Sequence, residues 1–202
     1  MSTHSDKGGE GPALIDFGEF KERYVTITER YDPDARRSRP FVDLSKIYLD
    51  PEAIDMVAAL MKSGANQQYD KVVGIEGMGS KIAPVTAVLE RRPFVEIRNR
   101  HPLTGIYPDV VSKRYRNYRG RWRVMEVSRS HLYYEHEGSA KPRLRLIDDI
   151  LGSGITAEKA AALLKDAGGE VVGIYVIVAV EEWGGLTRLE RAGIPVDYIL
   201  KI

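Results

Sequence analysis

One apolar run limits the folds that this chain can adopt. Residues 171–180 read Val-Val-Gly-Ile-Tyr-Val-Ile-Val-Ala-Val, with no charged side chain among them. A strand with one face in water alternates apolar and polar residues, whereas a strand covered on both faces is continuously apolar. Because helices on both sides of a parallel sheet provide that cover, the segment predicts a buried strand of an α/β fold.

Strand and helix patterns alternate along the rest of the chain. Short apolar segments predict strands at 69–76, 93–98, 122–128 and 144–147, and a helix-to-strand return at 192–199. Cap residues and helical periodicity predict helices at 51–62, 80–90 and 156–166. The remaining segments predict a short helix and strand in 13–32, a loop in 32–40 and a turn in 135–142. This order of elements indicates a parallel sheet of about five strands flanked by helices.

Composition excludes several classes of protein. The 202 residues include 30 Lys and Arg and 29 Asp and Glu, a net charge of +1, which argues against a general nucleic-acid or membrane-surface binder. The chain has no cysteine, which excludes disulfides, thiolate zinc sites and a Cys nucleophile. No apolar run approaches the roughly 20 residues of a membrane helix. We therefore expect a cytoplasmic protein with a disordered tail at 1–12 and a single domain at 13–202.

Two adjacent carboxylates, Asp148 and Asp149, follow the strand predicted at 144–147. They precede Ile150-Leu151-Gly152-Ser153-Gly154-Ile155-Thr156, a small-residue loop that opens a helix. Glycines allow close approach of the backbone, and the N–H groups at a helix N-terminus favour a phosphate. The segment thus predicts a site for a ligand with a phosphate and vicinal hydroxyls. A helix capped by Thr156 is the alternative, but adjacent acids repel each other unless a ligand or cation uses them.

This segment resembles the phosphoribosyl-pyrophosphate (PRPP) signature of type I phosphoribosyltransferases, an apolar strand with two acids before a Ser/Thr-Gly loop. Other segments resemble the adenine and xanthine members of that family, in the family's order. They are the hood segment at 41–44 and 50–53, the pyrophosphate loop at 72–79, the strand and basic turn at 94–100, and the strand at 125–128. The chain is therefore similar to the purine branch of the family over about residues 40–200.

The resemblance implies the type I phosphoribosyltransferase fold, with a small N-terminal hood contributed by about 13–50 and a flexible hairpin loop. It also implies that a purine or purine-like base attacks C1 of PRPP, which releases pyrophosphate and forms a nucleoside 5′-monophosphate. Mg²⁺ would be bound through PRPP and pyrophosphate oxygens, without a metal site built from protein side chains. The family further implies a homodimer.

The same resemblance assigns the site residues. Asp148 and Asp149 would hold the 2′- and 3′-hydroxyls of the ribose. The 5′-phosphate would be cradled by the loop and the first helical turn: Ile150, Leu151, Gly152, Ser153, Gly154, Ile155 and Thr156. Pyrophosphate would be bound by backbone amides of a second loop and by one arginine: Glu76, Gly77, Met78, Gly79 and Arg98.

Six basic side chains lie within 113–123, with no acid among them: Lys113, Arg114, Arg116, Arg119, Arg121 and Arg123. We interpret this stretch as a mobile loop that closes over the diphosphate and excludes water, with Arg119 and Arg121 as catalytic residues. A solvated hairpin is one alternative. A single-stranded nucleic-acid surface is another, because Tyr115, Tyr118 and Trp122 are interleaved with the charges. The balanced net charge and the PRPP signature argue against nucleic acid.

Three residues are candidates for contact with the base. Trp183 follows the apolar run and offers a ring for stacking, and Glu182 beside it can accept a hydrogen bond from a ring N–H. Phe41 offers a second stacking surface from the hood side. Packing at the edge of the core is the alternative for Trp183 and for Phe41. The charge of Arg145, inside the strand at 144–147, predicts that one face of that strand is exposed.

Other functions could use the same site. One is a PRPP-sensing regulatory protein, which in this family carries a DNA-binding module of roughly 70 residues, whereas only about 40 residues precede the hood segment here. Another is a phosphoribosyltransferase for a pyrimidine or an unusual heterocycle. An interaction protein with a degenerate site is a more remote alternative.

Overall fold

The computed structural model describes residues 16–32, 37–63, 68–99, 103–136 and 140–202. The expected disordered tail at 1–12 lies outside the described residues, as does part of the expected turn at 135–142. The helices are α1 (Phe17–Tyr24), α2 (Pro51–Ser63), α3 (Gly79–Glu90), α4 (Arg129–Tyr133), α5 (Ile155–Asp166) and α6 (Gly185–Arg191), with 3-10 turns at Ser45–Leu49 and Glu181–Trp183. The strands are β1 (Thr26–Asp32), β2 (Arg37–Asp43), β3 (Lys71–Ile75), β4 (Phe94–Asn99), β5 (Val110–Arg116), β6 (Trp122–Ser128), β7 (Arg143–Leu151), β8 (Glu170–Ala179) and β9 (Val196–Lys201).

Seven strands form the main sheet in the order β5-β6-β4-β3-β7-β8-β9. The five strands from β4 to β9 in that order are parallel, which confirms the predicted parallel sheet of about five strands. β6 pairs antiparallel with β4 and β5 pairs antiparallel with β6, so the basic stretch forms a hairpin on one side of the sheet. The carboxyl ends of the parallel strands meet at one edge, where open α/β sheets bind their ligands.

Hydrophobic cores cover both faces of the sheet, and β8 contributes to each. Tyr175 and Ile177 pack with α2 and α3 on one face, and Ile174 and Val176 pack with α5 on the other. This alternation explains the continuous apolar run in the sequence, because each successive side chain enters one of the two cores. No helix in the described part of the chain is long and apolar enough to cross a bilayer.

The prediction of a loop at 32–40 is wrong for residues 37–40, which belong to a strand. β2 begins at Arg37 and pairs antiparallel with β1 over its whole length, for example Phe41 with Thr28 and Pro40 with Glu29. The polar and proline-containing sequence concealed the strand, yet proline is tolerated in a strand that has a free edge. The hairpin forms a separate two-stranded sheet next to the 3-10 turn that leads into α2.

The exposed face expected at Arg145 is also wrong. Arg145 is buried with 4% of its surface exposed, and its Nη1 lies 3.5 Å from Oε1 of Glu90. Nη1 donates to the Tyr69 hydroxyl at 3.2 Å, and the guanidinium stands 4.8 Å from the ring centre of Tyr175. An acid partner and two aromatic rings therefore accommodate a charge that the sequence pattern predicted to face water.

Candidate active site

The two acids lie inside β7 and not after it. β7 continues to Leu151, with Asp148 opposite Val176 and Leu151 opposite Ala179 of β8. The predicted end of this strand at 147 is therefore too early, because the long β8 pairs with it for four more residues. The turn that leads into α5 therefore consists of Gly152, Ser153 and Gly154.

The glycines of this turn have specific roles. Gly154 has a φ of +73°, a left-handed conformation that favours glycine, and it occupies the N-cap position of α5. It offers no side chain to the first N–H groups of the helix, and Thr156 already lies inside the helix. The alternative of a helix capped by Thr156 therefore does not describe this turn. The free N–H groups of α5 form the kind of site that binds a phosphate.

A second loop, which follows β3, lies against Asp148. Gly77 has a φ of +139°, and Gly79 begins α3 against the side chain and backbone of Asp148. A Cβ at Gly79 would lie 2.6 Å from Oδ1 of Asp148, so only glycine permits this approach. The N–H of Glu76 donates to the Ile97 carbonyl at 2.8 Å within the sheet. Because that amide is engaged, the expected amide of Glu76 has to be removed from the set of pyrophosphate donors.

Arg98 stands beside the second loop between two carboxylates. Its Nη1 donates to Oε2 of Glu96 at 2.7 Å, and its Nε lies 3.7 Å from Oε2 of Glu76. The hydrogen bond from Arg98 to Glu96 raises the pKa of the guanidinium. Oε2 of Glu76 also accepts from the N–H of Asn99 at 2.5 Å. In this structure the carboxylates of Glu96 and Glu76 partly neutralise the charge of Arg98.

The acids of β7 differ in their surroundings from surface carboxylates. Asp148 is half-buried, and its Oδ1 atom lies against Gly79. Burial raises the pKa of Asp148 well above its usual range, and the adjacent Asp149 raises it further. The N–H of Asp149 donates to Oδ1 of Asp148 at 3.0 Å. Such a pair is suited to a ligand that brings hydroxyl donors.

Two tyrosines belong to this site and were missed from the sequence. The Tyr48 hydroxyl, from the 3-10 turn before α2, donates to the Met78 carbonyl at 3.1 Å. Burial raises the pKa of Tyr48, and Asp149 and Asp148 raise it further. Tyr115 of β5 is buried, which raises its pKa, while a hydrogen bond with Thr156 opposes that rise. Tyr48 lies next to the hood segment and Tyr115 lies in the basic stretch, but neither position in the sequence indicates contact with the loops.

The hairpin carries Arg119 and Arg121 at its tip. Oδ1 of Asn117 accepts from the backbone N–H of both arginines at 3.0 Å, and Nε of Arg119 donates to the Tyr118 hydroxyl at 2.9 Å. Along the strands, the guanidinium groups of Arg114 and Arg116 lie 4.2 and 4.8 Å from the ring of Trp122. The hairpin is thus a concentrated source of positive charge, and Tyr115 packs in one hydrophobic core with residues of α5.

The base-contact candidates are dispersed. The ring of Trp183 packs against Gly152, where a Cβ would lie 2.6 Å from its Cε3 atom. Glu182 beside it is exposed. The guanidinium of Arg30 covers the ring of Phe41 at 4.0 Å. The structure therefore joins the acids, both glycine loops and Trp183 at one edge of the sheet, and it places Phe41 on the hairpin of β1 and β2.

Comparison with known proteins identifies the family. No family model matches the chain. An adenine phosphoribosyltransferase of Rhodopseudomonas palustris is 32% identical over 164 residues, which are 80% of this chain and 84% of the relative. The chain belongs to the type I phosphoribosyltransferase family. As a member of its purine branch, it is a PRPP-dependent phosphoribosyltransferase, which is a pentosyltransferase.

Other relatives of this phosphoribosyltransferase agree in fold. The crystal structure of adenine phosphoribosyltransferase from Rhodothermus marinus matches with a TM-score of 0.74 and 25% identity, covering 91% of this chain and 97% of that one. The enzyme of the same name from Thermoanaerobacter pseudethanolicus matches at 0.74 and 20% identity, covering 93% and 100%, which shows the fold alone. An orotate phosphoribosyltransferase of Pyrococcus furiosus is 30% identical over 161 residues, or 78% of this chain and 75% of the relative.

Proposed function

We propose that this phosphoribosyltransferase transfers the 5-phosphoribosyl group from PRPP to a purine or purine-like base. One observation carries the proposal: an adjacent acid pair in β7 lies between two glycine loops, each of which opens a helix. A ring nitrogen of the base forms a bond to C1 while the bond from C1 to the pyrophosphate oxygen breaks. The products are a nucleoside 5′-monophosphate and pyrophosphate, and the base loses its proton to the surroundings.

Each group of residues has a proposed role in that reaction. Asp148 and Asp149 accept hydrogen bonds from the ribose 2′- and 3′-hydroxyls. The turn and first residues of α5, 150–156, hold the 5′-phosphate through their N–H and hydroxyl groups. Met78 and Gly79 offer their amides to pyrophosphate, and Gly77 does so once substrate displaces Oγ of Ser80, which accepts from its N–H at 3.3 Å. Arg98 supplies charge there once substrate competes with its two carboxylates.

The basic hairpin is proposed to close over the bound diphosphate. Its concentration of arginines supports this role, as does the packing of Tyr115 in one hydrophobic core with residues of α5. Closure excludes water, which would otherwise compete with the base for the developing positive charge at C1. In this proposal Arg119 and Arg121, at the tip of the hairpin, contact the diphosphate when the hairpin closes.

Mg²⁺ fits the proposed site as an ion that the substrate carries. Asp148 and Asp149 are committed to the ribose hydroxyls, while oxygens of PRPP and pyrophosphate, together with water, supply the hard ligands that this ion prefers. When bound, Mg²⁺ neutralises charge on the leaving pyrophosphate. Around it, the protein orients the ribose through the two acids and the phosphate through α5.

The acceptor pocket is proposed beside Trp183 and Glu182, with Phe41 of the β1–β2 hairpin as a further contact. The ring of Trp183 borders the phosphate turn at Gly152, so its outer edge is suited to a base held at C1 of the same ribose. Glu182, which precedes Trp183, is exposed, and its carboxylate can accept a hydrogen bond from a ring N–H of the base. Phe41 serves in this proposal only if Arg30 leaves its ring.

The test is product formation. The chain is incubated with PRPP, Mg²⁺ and a panel of bases (adenine, hypoxanthine, guanine, xanthine, uracil and orotate), and the nucleotides are identified by mass spectrometry. We expect a purine nucleoside 5′-monophosphate, and we expect the double variant Asp148→Asn/Asp149→Asn to form none while keeping its circular dichroism spectrum. Absence of any nucleotide with the wild-type chain refutes the proposal.

A pyrimidine acceptor is the second candidate. The orotate phosphoribosyltransferase of Pyrococcus furiosus is 30% identical to this chain, nearly as similar as the adenine enzymes. If orotidine 5′-monophosphate is the product of the panel, the acceptor assignment changes while the PRPP site remains as proposed.

We further propose a cytoplasmic homodimer. Val88 and Leu89, in the last turn of α3, expose 75% and 41% of their surfaces, and a partner subunit would cover them. The lack of cysteine agrees with a reducing compartment. Light scattering after size exclusion tests the dimer, since a mass near that of one chain refutes it.

A further inference from the structure

A side chain outside both glycine loops contacts the turn at 152–154, which we call the phosphate turn. Arg188 lies in α6, and its Nε donates to the Ser153 carbonyl at 2.9 Å. Its Nη1 donates to Oε2 of Glu158 in the first turn of α5 at 2.9 Å. One guanidinium thus joins three elements: the turn between β7 and α5, the start of α5, and α6.

The bond to Ser153 orients the next amide. A trans peptide is planar, so its C=O and N–H groups point in opposite directions. Because the Ser153 carbonyl is directed to Arg188, the N–H of Gly154 is directed away from it. The left-handed φ of Gly154 completes the turn, and the N-terminus of α5 opens immediately after it.

The turn is also supported sterically from the same side. A Cβ at Gly154 would lie 3.0 Å from the Cα of Gly185 and 3.2 Å from the Cδ of Arg188. α6 therefore packs directly against the backbone of the turn. Glu158 also accepts from Lys159 at 3.0 Å, so its carboxylate pairs with a second cation besides Arg188.

We propose that Arg188 is a positioning residue that sets the phosphate turn for the 5′-phosphate of PRPP. This inference rests on the proposed function, because it assigns the turn to that phosphate. Arg188 acts through the Ser153 carbonyl and not by reaction at C1. Its loss therefore weakens the binding of ligands that carry a 5′-phosphate and leaves the chemical step unchanged at saturating substrate.

The variant Arg188→Met removes both donors and keeps the aliphatic stem that packs on Gly154. We expect the dissociation constant for PRPP with Mg²⁺, measured by calorimetry, to rise at least tenfold. Pyrophosphate binds at the other loop, so its dissociation constant is expected to stay within twofold. We also expect kcat within threefold of wild type, and partial recovery of PRPP affinity in Arg188→Lys, since lysine can still donate to the carbonyl.

Glu158→Gln is the matched control, because it removes the ion pair and leaves the bond between Arg188 and Ser153. Its PRPP affinity is expected to remain within threefold of wild type. The inference is overturned if Arg188→Met binds PRPP like wild type, or if pyrophosphate and PRPP weaken equally, which indicates general damage to the site. Failure of the wild-type chain to bind PRPP overturns the proposed function, and this inference with it. Wild-type binding with an unaffected variant overturns the inference alone.

Discussion

Gly79 and Asp148 are in direct contact, although one begins α3 and the other lies in β7. A Cβ at position 79 would come within 2.6 Å of Oδ1 and 2.9 Å of Cα of Asp148, so the second loop and the acid pair share one surface without an intervening side chain. This contact sets the separation between the loop proposed for pyrophosphate and the acids proposed for the ribose. In the proposed site, a displacement of either would change the position of C1 relative to its leaving group.

Gly79→Ala is expected to reduce kcat/KM for PRPP by about 10²-fold, because the added methyl displaces the loop by a distance on the scale that disrupts catalytic geometry. Steady-state kinetics with the acceptor base measures the effect. Gly173→Ala is the matched control, since a Cβ there meets only the Pro195 carbonyl at an ordinary 3.8 Å. Equal kinetics for the two variants would show that the close contact is unimportant.

Asp148→Asn is expected to stabilise the fold while it abolishes turnover. Burial raises the pKa of Asp148 in the folded chain, so folding stability falls as pH rises from the unfolded pKa of about 3.9 toward the higher folded value. Asparagine has no such cost. Above that interval the variant should be more stable than wild type, because the wild-type carboxyl must then be charged in a buried position.

Urea unfolding at a series of pH values measures this gain. The stability difference between Asp148→Asn and wild type should be small near pH 4 and should increase toward neutral pH. A difference that does not change with pH, or that decreases, contradicts a raised pKa for this carboxyl in the folded chain.

Gly152→Ala is expected to raise KM for PRPP because its methyl meets the ring of Trp183, 2.6 Å from Cε3. Trp183→Leu makes room for that methyl, so the double variant should recover part of the lost affinity. A double-mutant cycle on PRPP binding should give a coupling free energy of about 1 kcal/mol or more. Additive effects would indicate that the ring and the turn do not restrain each other.

Arg145→Met is expected to destabilise the fold by about 3–5 kcal/mol, because it leaves Glu90 charged and buried without its partner. Burial raises the pKa of Glu90, and Arg145 opposes that rise. The double variant Arg145→Met/Glu90→Leu should recover most of the loss in urea unfolding. If the double variant is as unstable as the single one, packing and not charge explains the loss.

Arg119→Gln/Arg121→Gln is expected to lower kcat at least tenfold and to change PRPP affinity less, because closure acts on the transition state. Lys141→Gln/Lys165→Gln, two exposed lysines distant from the hairpin in sequence, is the control for a loss of two positive charges. Stopped-flow kinetics and calorimetry separate the two effects. An unchanged kcat would instead support a solvated hairpin.

The sheet and the loop order were predictable, because they depend on local patterns. The apolar run at 171–180 could only be a strand covered on both faces, and the glycines near 152–154 had to form a turn before a helix. These local patterns fail where pairing with another strand decides where an element ends. Asp148 and Asp149 look like the end of a strand, but pairing with β8 carries the strand past them.

The missed features all depend on partners distant in sequence. Arg145 could be buried only because Glu90, 55 positions earlier in the sequence, supplies a carboxylate. β2 is polar in sequence and exists because β1 pairs with it. Tyr48 and Arg188 reach the loops from separate elements, and no spacing in the sequence indicates that they meet there.

The sheet ends at β5, a strand that pairs with β6 on one side and has no further strand beyond it in the described structure. Lys113, Arg114 and Arg116 lie along this strand. An unpaired strand can recruit the same strand of another molecule, and rows of like charge oppose such recruitment. The basic residues that we propose for attraction of a diphosphate therefore also protect this edge of the sheet against pairing with another molecule.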